Sequence, residues 1–335
     1  MNVPENKAAE PVKLAESKPE KTKMEFLLKS SPHLLRKDAV PQIMWTVISA
    51  LLPAVIFGVY NFGARALWLI GLSVGSAVLT ELILNLVRRK PLTITDGSAV
   101  LTGLLLALTL PPGLPFSMAI YGAVFAIAIG KQVFGGLGYN IFNPALIGRA
   151  FLQASFPIAM TTWSIPRTLD AITTATPLGS FKFEKTLTPY YDLFMGTVGG
   201  CIGETSALMI LMGGIFILVK KYADWRIPVG YLGTVFVVGG LFWISNPAQY
   251  PDPVFHLFAG GLMLGAFFMA TDMVTTPVTP KGAWIFGIGA GILLVIIRLF
   301  GGLPEGVMYS ILLMNALTPL INRYTRPIIF GEKKV

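Results

Sequence analysis

Long apolar runs without an acidic or basic side chain are the feature that most constrains the fold of this chain. Residues 97–130, for example, contain no Asp, Glu, Lys, Arg or His. A helix of about twenty apolar residues is long enough to cross the roughly 30 Å hydrocarbon core of a bilayer. Of the 335 residues, 54% are hydrophobic and 13% are charged, and that charged fraction is about half of what soluble domains carry. The sequence therefore predicts an all-α polytopic membrane protein.

Ten apolar segments are predicted to be transmembrane helices. They lie near residues 43–61, 66–87, 97–110, 117–134, 144–161, 204–220, 228–245, 254–270, 282–300 and 306–321. Ten helices divide into five and five, and an odd number in each half requires the two halves to be inverted in the membrane. A Thr-Asp pair recurs at Thr95-Asp96 and Thr271-Asp272, beside segments that look broken. We therefore expect two inverted five-helix halves with broken helices.

The basic residues predict the orientation in the membrane. Residues 1–37 hold eight Lys or Arg, and this arm is expected to be cytoplasmic. The other basic residues assigned to the cytoplasmic side are Arg88, Arg89, Lys90, Lys131, Lys220, Lys221, Arg226, Lys281, Arg323, Arg326, Lys333 and Lys334. Because Lys and Arg concentrate on the cytoplasmic side, both termini are predicted to be cytoplasmic. The predicted divisions are a basic arm (1–40), a first transmembrane half (41–161), an extracytoplasmic loop (162–203), a second transmembrane half (204–322) and a cytoplasmic tail (323–335).

Composition excludes several classes of function. Although the net charge is +9, the basic residues are scattered at the ends of apolar runs, so no nucleic-acid partner is expected. One cysteine, Cys201, and two histidines, His33 and His256, cannot supply the ligands of iron-sulfur, zinc or bis-histidine haem sites. Cys201 is expected to be a small buried hydrophobe. If the chain carries out redox chemistry, an organic cofactor is required.

Three polar residues lie beside or inside a predicted helix in "GGLGYNIFNPALIGRAF": Asn140, Asn143 and Arg149. An unpaired amide in hydrocarbon costs several kcal/mol, and a charged group costs more. Partners are therefore required. The two asparagines could hydrogen-bond the heteroatoms of a flat ligand, with the glycines allowing close approach. Alternatively, they cap a helix while Arg149 pairs with carbonyl groups or with Glu81.

The acidic residues have both functional and structural interpretations. Glu81 lies within the second predicted helix and is therefore a candidate for an ion pathway. Asp96 is a second candidate, or simply a helix N-cap. Asp272, in "ATDMVTTPVTPKG", lines a ligand or ion site or belongs to a helix-breaking loop. For Glu204 and Glu305, at the predicted starts of helices, a first-turn acid that suits the helix dipole is favoured.

Six sequence blocks together resemble the RnfD/NqrB family. They are "SSPHLLRKDAVPQIMWTVISALLPA", "TDGSAVLTGLLLALTLPPGLP", "GGLGYNIFNPALIGRAFLQASFP", "DAITTATPL", "ATDMVTTPVTPKGAWIFGIGAG" and "IRLFGGLPEGVMYSILLMN". They occur in the order seen in that family and reach from residue 30 to beyond residue 320. The short chain and the "SSPH" block resemble the RnfD branch more than the NqrB branch.

The resemblance implies a covalent flavin. Members of the family carry FMN attached through its phosphate to a threonine in a Ser-Gly-Ala-Thr-like motif, which falls here on residues 173–176. Thr176 is then the acceptor, Thr173 belongs to the motif, and Asp170 is the upstream acid. Thr174 replaces the usual glycine, and a β-branched residue tolerates positive φ poorly. Either this turn does not need positive φ, or the attachment departs from the family pattern. By composition alone, the threonines are typical of a solvated turn.

The resemblance also implies a second flavin, a noncovalent riboflavin held near Asn140, Asn143 and Asp272. Glycines and amides suit an isoalloxazine, which has an apolar ring and a polar edge. The expected function is electron transfer within an Rnf complex of the cytoplasmic (inner) membrane, which couples ferredoxin:NAD electron transfer to Na+ or H+ export. The implied partners are the covalent-FMN G subunit, the NAD-reducing C subunit and a flavin transferase. Alternatives are an NqrB-like subunit of a Na+-translocating NADH:quinone reductase, a secondary transporter and a purely structural scaffold.

Overall fold

A computed structural model describes residues 39–91, 93–164, 173–204, 206–302 and 304–327. The described chain is helical, with one short pair of strands. The helices are α1 (Val40–Val87), α2 (Ser98–Leu108), α3 (Phe116–Ile127), α4 (Pro144–Ser155), α5 (Pro157–Met160), α6 (Pro177–Glu184), α7 (Tyr190–Met195), α8 (Ala207–Val219), α9 (Arg226–Ser245), α10 (Pro253–Phe258), α11 (Leu262–Leu264), α12 (Pro280–Phe300) and α13 (Val307–Tyr324). The strands are β1 (Trp163–Ser164) and β2 (Thr173–Thr174), and a 3-10 turn covers Ile94–Asp96. The π-helical segments Ala128–Gln132 and Gly265–Met269 continue α3 and α11.

Within the described ranges, three helices are long and apolar enough to cross a membrane: α1, α9 and α12. The 48 residues of α1 are interrupted at Gly63, whose φ of +68° and ψ of −159° are not helical. This residue separates the predicted segments 43–61 and 66–87, and a side chain there would be strained because φ is positive. Shorter apolar helices cover Ser98–Leu108, Phe116–Gln132 and Ala207–Val219. A helical chain of this composition confirms the polytopic membrane class, while the count of ten crossings and the inverted halves stay predictions.

The long helices expose large apolar side chains. Trp68 on α1, Ile244 on α9 and Ile296 on α12 are 65%, 71% and 47% exposed. Large apolar surfaces of this kind are rare on monomeric soluble proteins, and they are typical of interaction or membrane surfaces. The exposed surface of these helices therefore suits contact with lipid.

The core is formed by the packing of α1 against α2, α3 and α8, and of α12 against α9 and α13. α4 packs between α3 and α13. Close approach in the first group depends on Gly103 of α2, where an added Cβ would lie 2.7 Å from Cα of Val74. Ser73 fixes the same contact, because its hydroxyl donates to the Gly103 carbonyl at 2.9 Å. The two contacts hold α2 close against α1.

The predicted extracytoplasmic loop contains secondary structure. β1 and β2 are antiparallel, with Trp163 opposite Thr174 and Ser164 opposite Thr173, and α6 and α7 follow. Among the described residues other than glycine, positive φ occurs at Arg89, Lys185 and Lys221. Thr174 is extended, so the turn does not require positive φ where the family usually has glycine. Asp170 lies outside the described residues.

Four helices start with the same local signal, a polar N-cap residue followed by proline. The N-cap side chain accepts hydrogen bonds from backbone N–H groups of the first turn, and proline is favoured as the first helical residue because its φ is already helical. The four pairs are Asn143-Pro144, Thr176-Pro177, Asp252-Pro253 and Thr279-Pro280. Asn143 and Thr176, two residues predicted to bind flavin, therefore also fix the start of a helix.

Candidate functional site

A cavity of about 450 Å³ lies beside Thr176, and we call it the threonine cavity. Its volume falls within the range of about 300–1,000 Å³ that is usual for small-molecule sites. The apolar lining includes Leu146, Leu264, Met269 and Met308, and the polar lining includes Thr176, Arg149, Glu204 and Glu305. The wall is built from α4, the start of α6, the segment from α11 onward and the turns before α8 and α13. A mainly apolar cavity with a few convergent polar groups is typical of a cofactor or ligand site.

Thr176 is held in a defined position on this wall. It is the N-cap of α6, and its Oγ1 accepts a hydrogen bond from the Gly179 N–H at 3.1 Å. Lys182, six residues further along, donates to the carbonyl groups of Arg298 and Gly301 and so ties α6 to the end of α12. Partial burial lowers the pKa of Lys182. A helix N-terminus favours anions, because its free N–H groups and its dipole are positive. The threonine hydroxyl therefore lies where a phosphate would be stabilised.

A buried ionic cluster forms another part of the wall. Arg149 donates to Oε2 of Glu305 and to the Thr109 carbonyl, and its Nη1 lies 3.9 Å from Oε1 of Glu204. The Cys201 sulfur is 3.3 Å from the same nitrogen. In the described part of the chain, Oε1 of Glu305 has no hydrogen-bond partner. One guanidinium therefore faces two carboxylates beside the cavity.

This cluster corrects two predictions. Glu204 and Glu305 are not first-turn acids, because α8 begins at Ala207 after the N-cap Ser206 and α13 begins at Val307. They lie instead in the preceding turns and approach Arg149. The expectation that Arg149 pairs with a carbonyl is confirmed by its bond to Thr109, whereas pairing with Glu81 is wrong. Cys201 is fully buried, as expected.

A second, smaller cavity brings together the residues predicted for a second flavin. It has a volume of about 80 Å³, and we call it the asparagine cavity. The predicted residues Asn140, Asn143 and Asp272 line it, together with Lys131, Ser98 and Thr271. These residues come from separate parts of the chain, so their convergence is a property of the tertiary structure.

The three predicted residues differ in which of their side-chain atoms already have hydrogen-bond partners. Both polar atoms of the Asn143 side chain have partners. Its Oδ1 accepts from the N–H groups of Ala145 and Leu146, and its Nδ2 donates to the Met269 carbonyl at 3.2 Å. The Asp272 carboxylate accepts from the Val274 N–H and the Thr275 hydroxyl. Oδ1 of the buried Asn140, by contrast, has no partner within the described ranges. Asn140 is therefore the residue of the three that offers a free acceptor.

The two cavities lie next to each other along α4. Asn143 and Ala145, at the start of the helix, line the asparagine cavity, and Arg149 lines the threonine cavity. At 1.5 Å per residue, Asn143 and Arg149 are about 9 Å apart along the helix axis. The segment around Gly265–Met269 also contributes to both walls. Departures from regular α-helix of this π-helical kind are frequent at functional sites.

Glu81 and Asp96 belong to one hydrogen-bonded network with Lys131. Nζ of Lys131 lies 2.9 and 2.8 Å from the two oxygens of Glu81, and Thr93 donates to Glu81 at 2.6 Å. Lys131 also donates to Ser98 Oγ at 2.5 Å, and that hydroxyl donates to Asp96 at 2.6 Å. Glu81 is therefore paired, and Asp96 accepts bonds at the start of α2.

Lys131 is a site residue that sequence reasoning misses. The pattern of basic residues places it in a cytoplasmic loop, but it lies in the π-helical segment Ala128–Gln132 and is 2% exposed. The available signal is that Lys131 is the first charged residue after a long apolar run. A charged residue at that position lies either in a loop or in the core, paired with another buried charge. Which of the two applies depends on whether Glu81 lies opposite Lys131 in the folded chain.

The fold and the cavities define a helical membrane protein with a cavity of small-molecule size next to a buried ionic cluster. Residues 27–331 match the model of the NQR2, RnfD, RnfE family, and the chain belongs to this family.

Named relatives are similar over nearly their whole length. A protein of Clostridium ljungdahlii, named as the D subunit of a proton-translocating ferredoxin:NAD(+) oxidoreductase complex, is 52% identical over 321 residues, covering 92% of this chain and 97% of that protein. A protein of Acetobacterium woodii, named as the D subunit of a Na(+)-translocating ferredoxin:NAD(+) oxidoreductase complex, is 48% identical, covering 93% and 97%. The D subunit of an ion-translocating oxidoreductase complex of Stutzerimonas stutzeri is 42% identical, covering 88% and 93%.

Proposed function

We propose that this chain is the D-type membrane component of an ion-translocating ferredoxin:NAD oxidoreductase and that it carries FMN esterified to Thr176. The chain is a subunit of a translocating oxidoreductase, in line with the names of its relatives. The observation that carries the flavin proposal is that Thr176 lines a cavity of about 450 Å³. FMN would supply one-electron chemistry there.

The residues of the threonine cavity fit FMN. The Thr176 hydroxyl reaches the cavity at the start of α6, where the N–H groups of the first turn would stabilise a phosphate. Leu146 and Met308 offer an apolar wall for a ring system, and Arg149 offers a fixed cation. The short β1–β2 pair and the Lys182 bonds hold α6 in place. The chain's own residues would therefore bind the phosphate, orient the ring and exclude water.

The asparagine cavity fits riboflavin only in part. The free Oδ1 of Asn140 would accept from a ring N–H, and Lys131 and Asp272 lie on the same wall. A volume of about 80 Å³ is below that of a usual small-molecule site, so the wall must widen to admit an isoalloxazine. We keep the second flavin as a proposal that rests on the free acceptor and on the proximity of the two cavities along α4.

The proposed partners are the subunits that would carry out the iron-sulfur and NAD chemistry of the complex. One cysteine in 335 residues cannot hold an iron-sulfur cluster, and we propose that ferredoxin oxidation and NAD reduction belong to other subunits. We propose that electrons reach this chain from the covalent-FMN G subunit, that NAD is reduced by the C subunit and that a flavin transferase modifies Thr176. The cytoplasmic (inner) membrane location and the extracytoplasmic position of Thr176 are part of the same proposal.

Relatives of similar identity are named for different coupling ions. The two relatives at 52% and 48% identity carry names with a proton and with Na+, respectively. We propose Glu81 and Asp96 as part of an ion pathway, because both belong to the network around Lys131. In the described structure Glu81 is occupied by its partners, so ion passage would require Lys131 to release it.

The flavin proposal is tested by Thr176→Val in the full chain, expressed with the flavin transferase. We expect the fluorescence that survives denaturing electrophoresis to disappear, because valine has no hydroxyl to esterify. Thr161→Val is the matched control, since Thr161 lines the same cavity and its hydroxyl donates to a local carbonyl. Intact-mass analysis of the native chain should show the added mass of FMN. An unmodified native chain contradicts the proposal and favours a transporter, and fluorescence that persists in Thr176→Val moves the attachment to Thr173 or Thr174.

A further inference from the structure

In the ionic cluster of the threonine cavity, two carboxylates lie within 3.9 Å of one guanidinium. Glu204 and Glu305 share Arg149, and the side chains of Arg149 and Glu204 are each 6% exposed. A net negative charge in an apolar environment is strongly unfavourable unless it is paired or neutralised. Arg149 can balance one carboxylate, and Oε1 of Glu305 has no partner among the described residues. A negative charge added to the cavity would therefore need a proton or another counter-charge of its own.

The residues around the cluster restrict which counter-charge it can take up. Among the described residues, Arg149 comes from α4, Cys201 from the turn before α8 and Glu305 from the turn before α13. Arg298 of α12 is a second buried cation near the two carboxylates, and its guanidinium donates to the carbonyl groups of His256 and Ala259. On one side the backbone of Gly261 lies close to Glu204, because a Cβ added to Gly261 would lie 2.7 Å from Oε1 of Glu204. A proton needs no additional space, which makes it the simplest counter-charge.

The cluster is buried but not sealed. The Glu305 side chain is 19% exposed, and Glu305 contacts Arg149, which lies 3.9 Å from Glu204. A proton from solvent can therefore reach Glu305 first and Glu204 through a short rearrangement. Both carboxylates also line the cavity itself, so a charge placed in the cavity acts on them at short range.

We infer that Glu204 and Glu305 take up one shared proton when a redox group bound in the threonine cavity accepts an electron. The inference rests on the proposed function, because it requires a redox group in that cavity. In the reduction step, one electron comes from the redox partner, one proton comes from the aqueous phase beside Glu305, and an O–H bond forms on a carboxylate. Reoxidation removes the electron, breaks that O–H bond and returns the proton. The net charge in and around the cavity is then unchanged, which lowers the electrostatic cost of reduction in a medium of low dielectric constant.

Infrared difference spectroscopy of the full chain, loaded with flavin, tests this inference. We expect a carboxylic-acid C=O band that appears on reduction, shifts in D2O and is lost in Glu204→Gln or Glu305→Gln. Glu184→Gln, on the exposed end of α6, is the matched control and should keep the band. A wild-type spectrum without the band, or a band that survives in both cluster variants, would overturn the inference.

Redox titration gives a second readout. Removing one carboxylate should raise the flavin midpoint potential, and the difference between Glu204→Gln and wild type should grow with pH, because the wild-type cluster is less protonated there. The comparison between variants cancels the protonation of the flavin itself. A difference that does not change with pH contradicts the inference. In-gel fluorescence must first show that each variant carries flavin: an unloaded wild-type chain refutes the proposed function, whereas a loaded chain with a negative result refutes the shared proton alone.

Discussion

The threonine cavity and the asparagine cavity share α4 but treat buried charge differently. On the asparagine cavity, Lys131 and Glu81 form a one-to-one pair at 2.8 Å, and Thr93 and Ser98 satisfy the remaining positions. On the threonine cavity, Arg149 faces two carboxylates. Their volumes also differ, about 80 Å³ against about 450 Å³.

The difference lies in how completely each buried charge is paired. A balanced and fully hydrogen-bonded pair fixes the packing of the helices that carry it, and breaking it leaves a buried charge. A cluster in which two carboxylates face one guanidinium beside a large cavity holds groups whose protonation can respond to what the cavity contains. We therefore expect variants of the Lys131 pair to change stability and variants of the Arg149 cluster to change redox behaviour.

The largest effect expected on stability is that of Lys131→Met. Glu81 would remain buried without its ammonium partner, and breaking such a pair costs about 3–5 kcal/mol. Thermal or denaturant unfolding of the detergent-solubilised chain measures the loss. A double variant, Glu81→Gln with Lys131→Met, should recover much of it. Lys220→Met is the control, because Lys220 is exposed. Equal stability of Lys131→Met and wild type would contradict the proposed contrast between the two cavities.

A smaller effect is expected for Asn143→Ala, which removes the N-cap of α4. Loss of an N-cap costs about 0.5–2 kcal/mol, and the bond to the Met269 carbonyl is lost as well. Asn140→Ala should destabilise less, because Oδ1 of Asn140 has no partner in the described chain. Denaturant unfolding of the two variants side by side measures the difference, and a larger loss in Asn140→Ala would contradict it.

The same two variants sharpen the assignment of the asparagine cavity. If Asn140 binds a noncovalent flavin, Asn140→Ala should lower the riboflavin released by denaturing the purified chain, with Thr176 still modified. Chromatography of the released flavin measures this. Unchanged riboflavin in Asn140→Ala would remove Asn140 from the site, and no released riboflavin in wild type would remove the second flavin itself.

The smallest effect is expected outside both cavities, at the contact between α7 and the N-cap residue of α10. The Tyr190 hydroxyl donates to Asp252 at 2.5 Å, and this bond raises the pKa of Tyr190 to about 12. Because the folded-state pKa lies above the usual value near 10, the stabilisation is complete below pH 10 and is lost as the pH rises through about 12. Tyr190 is 45% exposed, so solvent weakens the contribution.

Unfolding of Tyr190→Phe measured against pH checks this expectation. The small stability difference from wild type should be constant below pH 10 and should shrink toward pH 12. The neighbouring Tyr191→Phe is the control, since Tyr191 is 70% exposed. A difference that does not change with pH would show that the hydroxyl bond does not stabilise the contact between α7 and α10.

Much of the fold was predictable because it depends on local sequence. Apolar runs predict helices in a membrane, since every backbone group must be paired within the segment. A polar residue followed by proline marks the start of four helices, including the Thr176-Pro177 start of α6. The helical membrane class and the family resemblance are confirmed, while the residues that bind flavin stay predictions.

The pairing of buried charges was decided only by the tertiary structure. Lys131 meets Glu81 across 50 positions, and Arg149 meets Glu305 across 156. Local sequence shows that a buried charge needs a partner, but several partners satisfy that requirement equally well. Helix packing selects among them, because it determines which side chains share a low-dielectric space. For this reason local sequence predicted the apolar helices, whereas packing determined which charges surround each cavity.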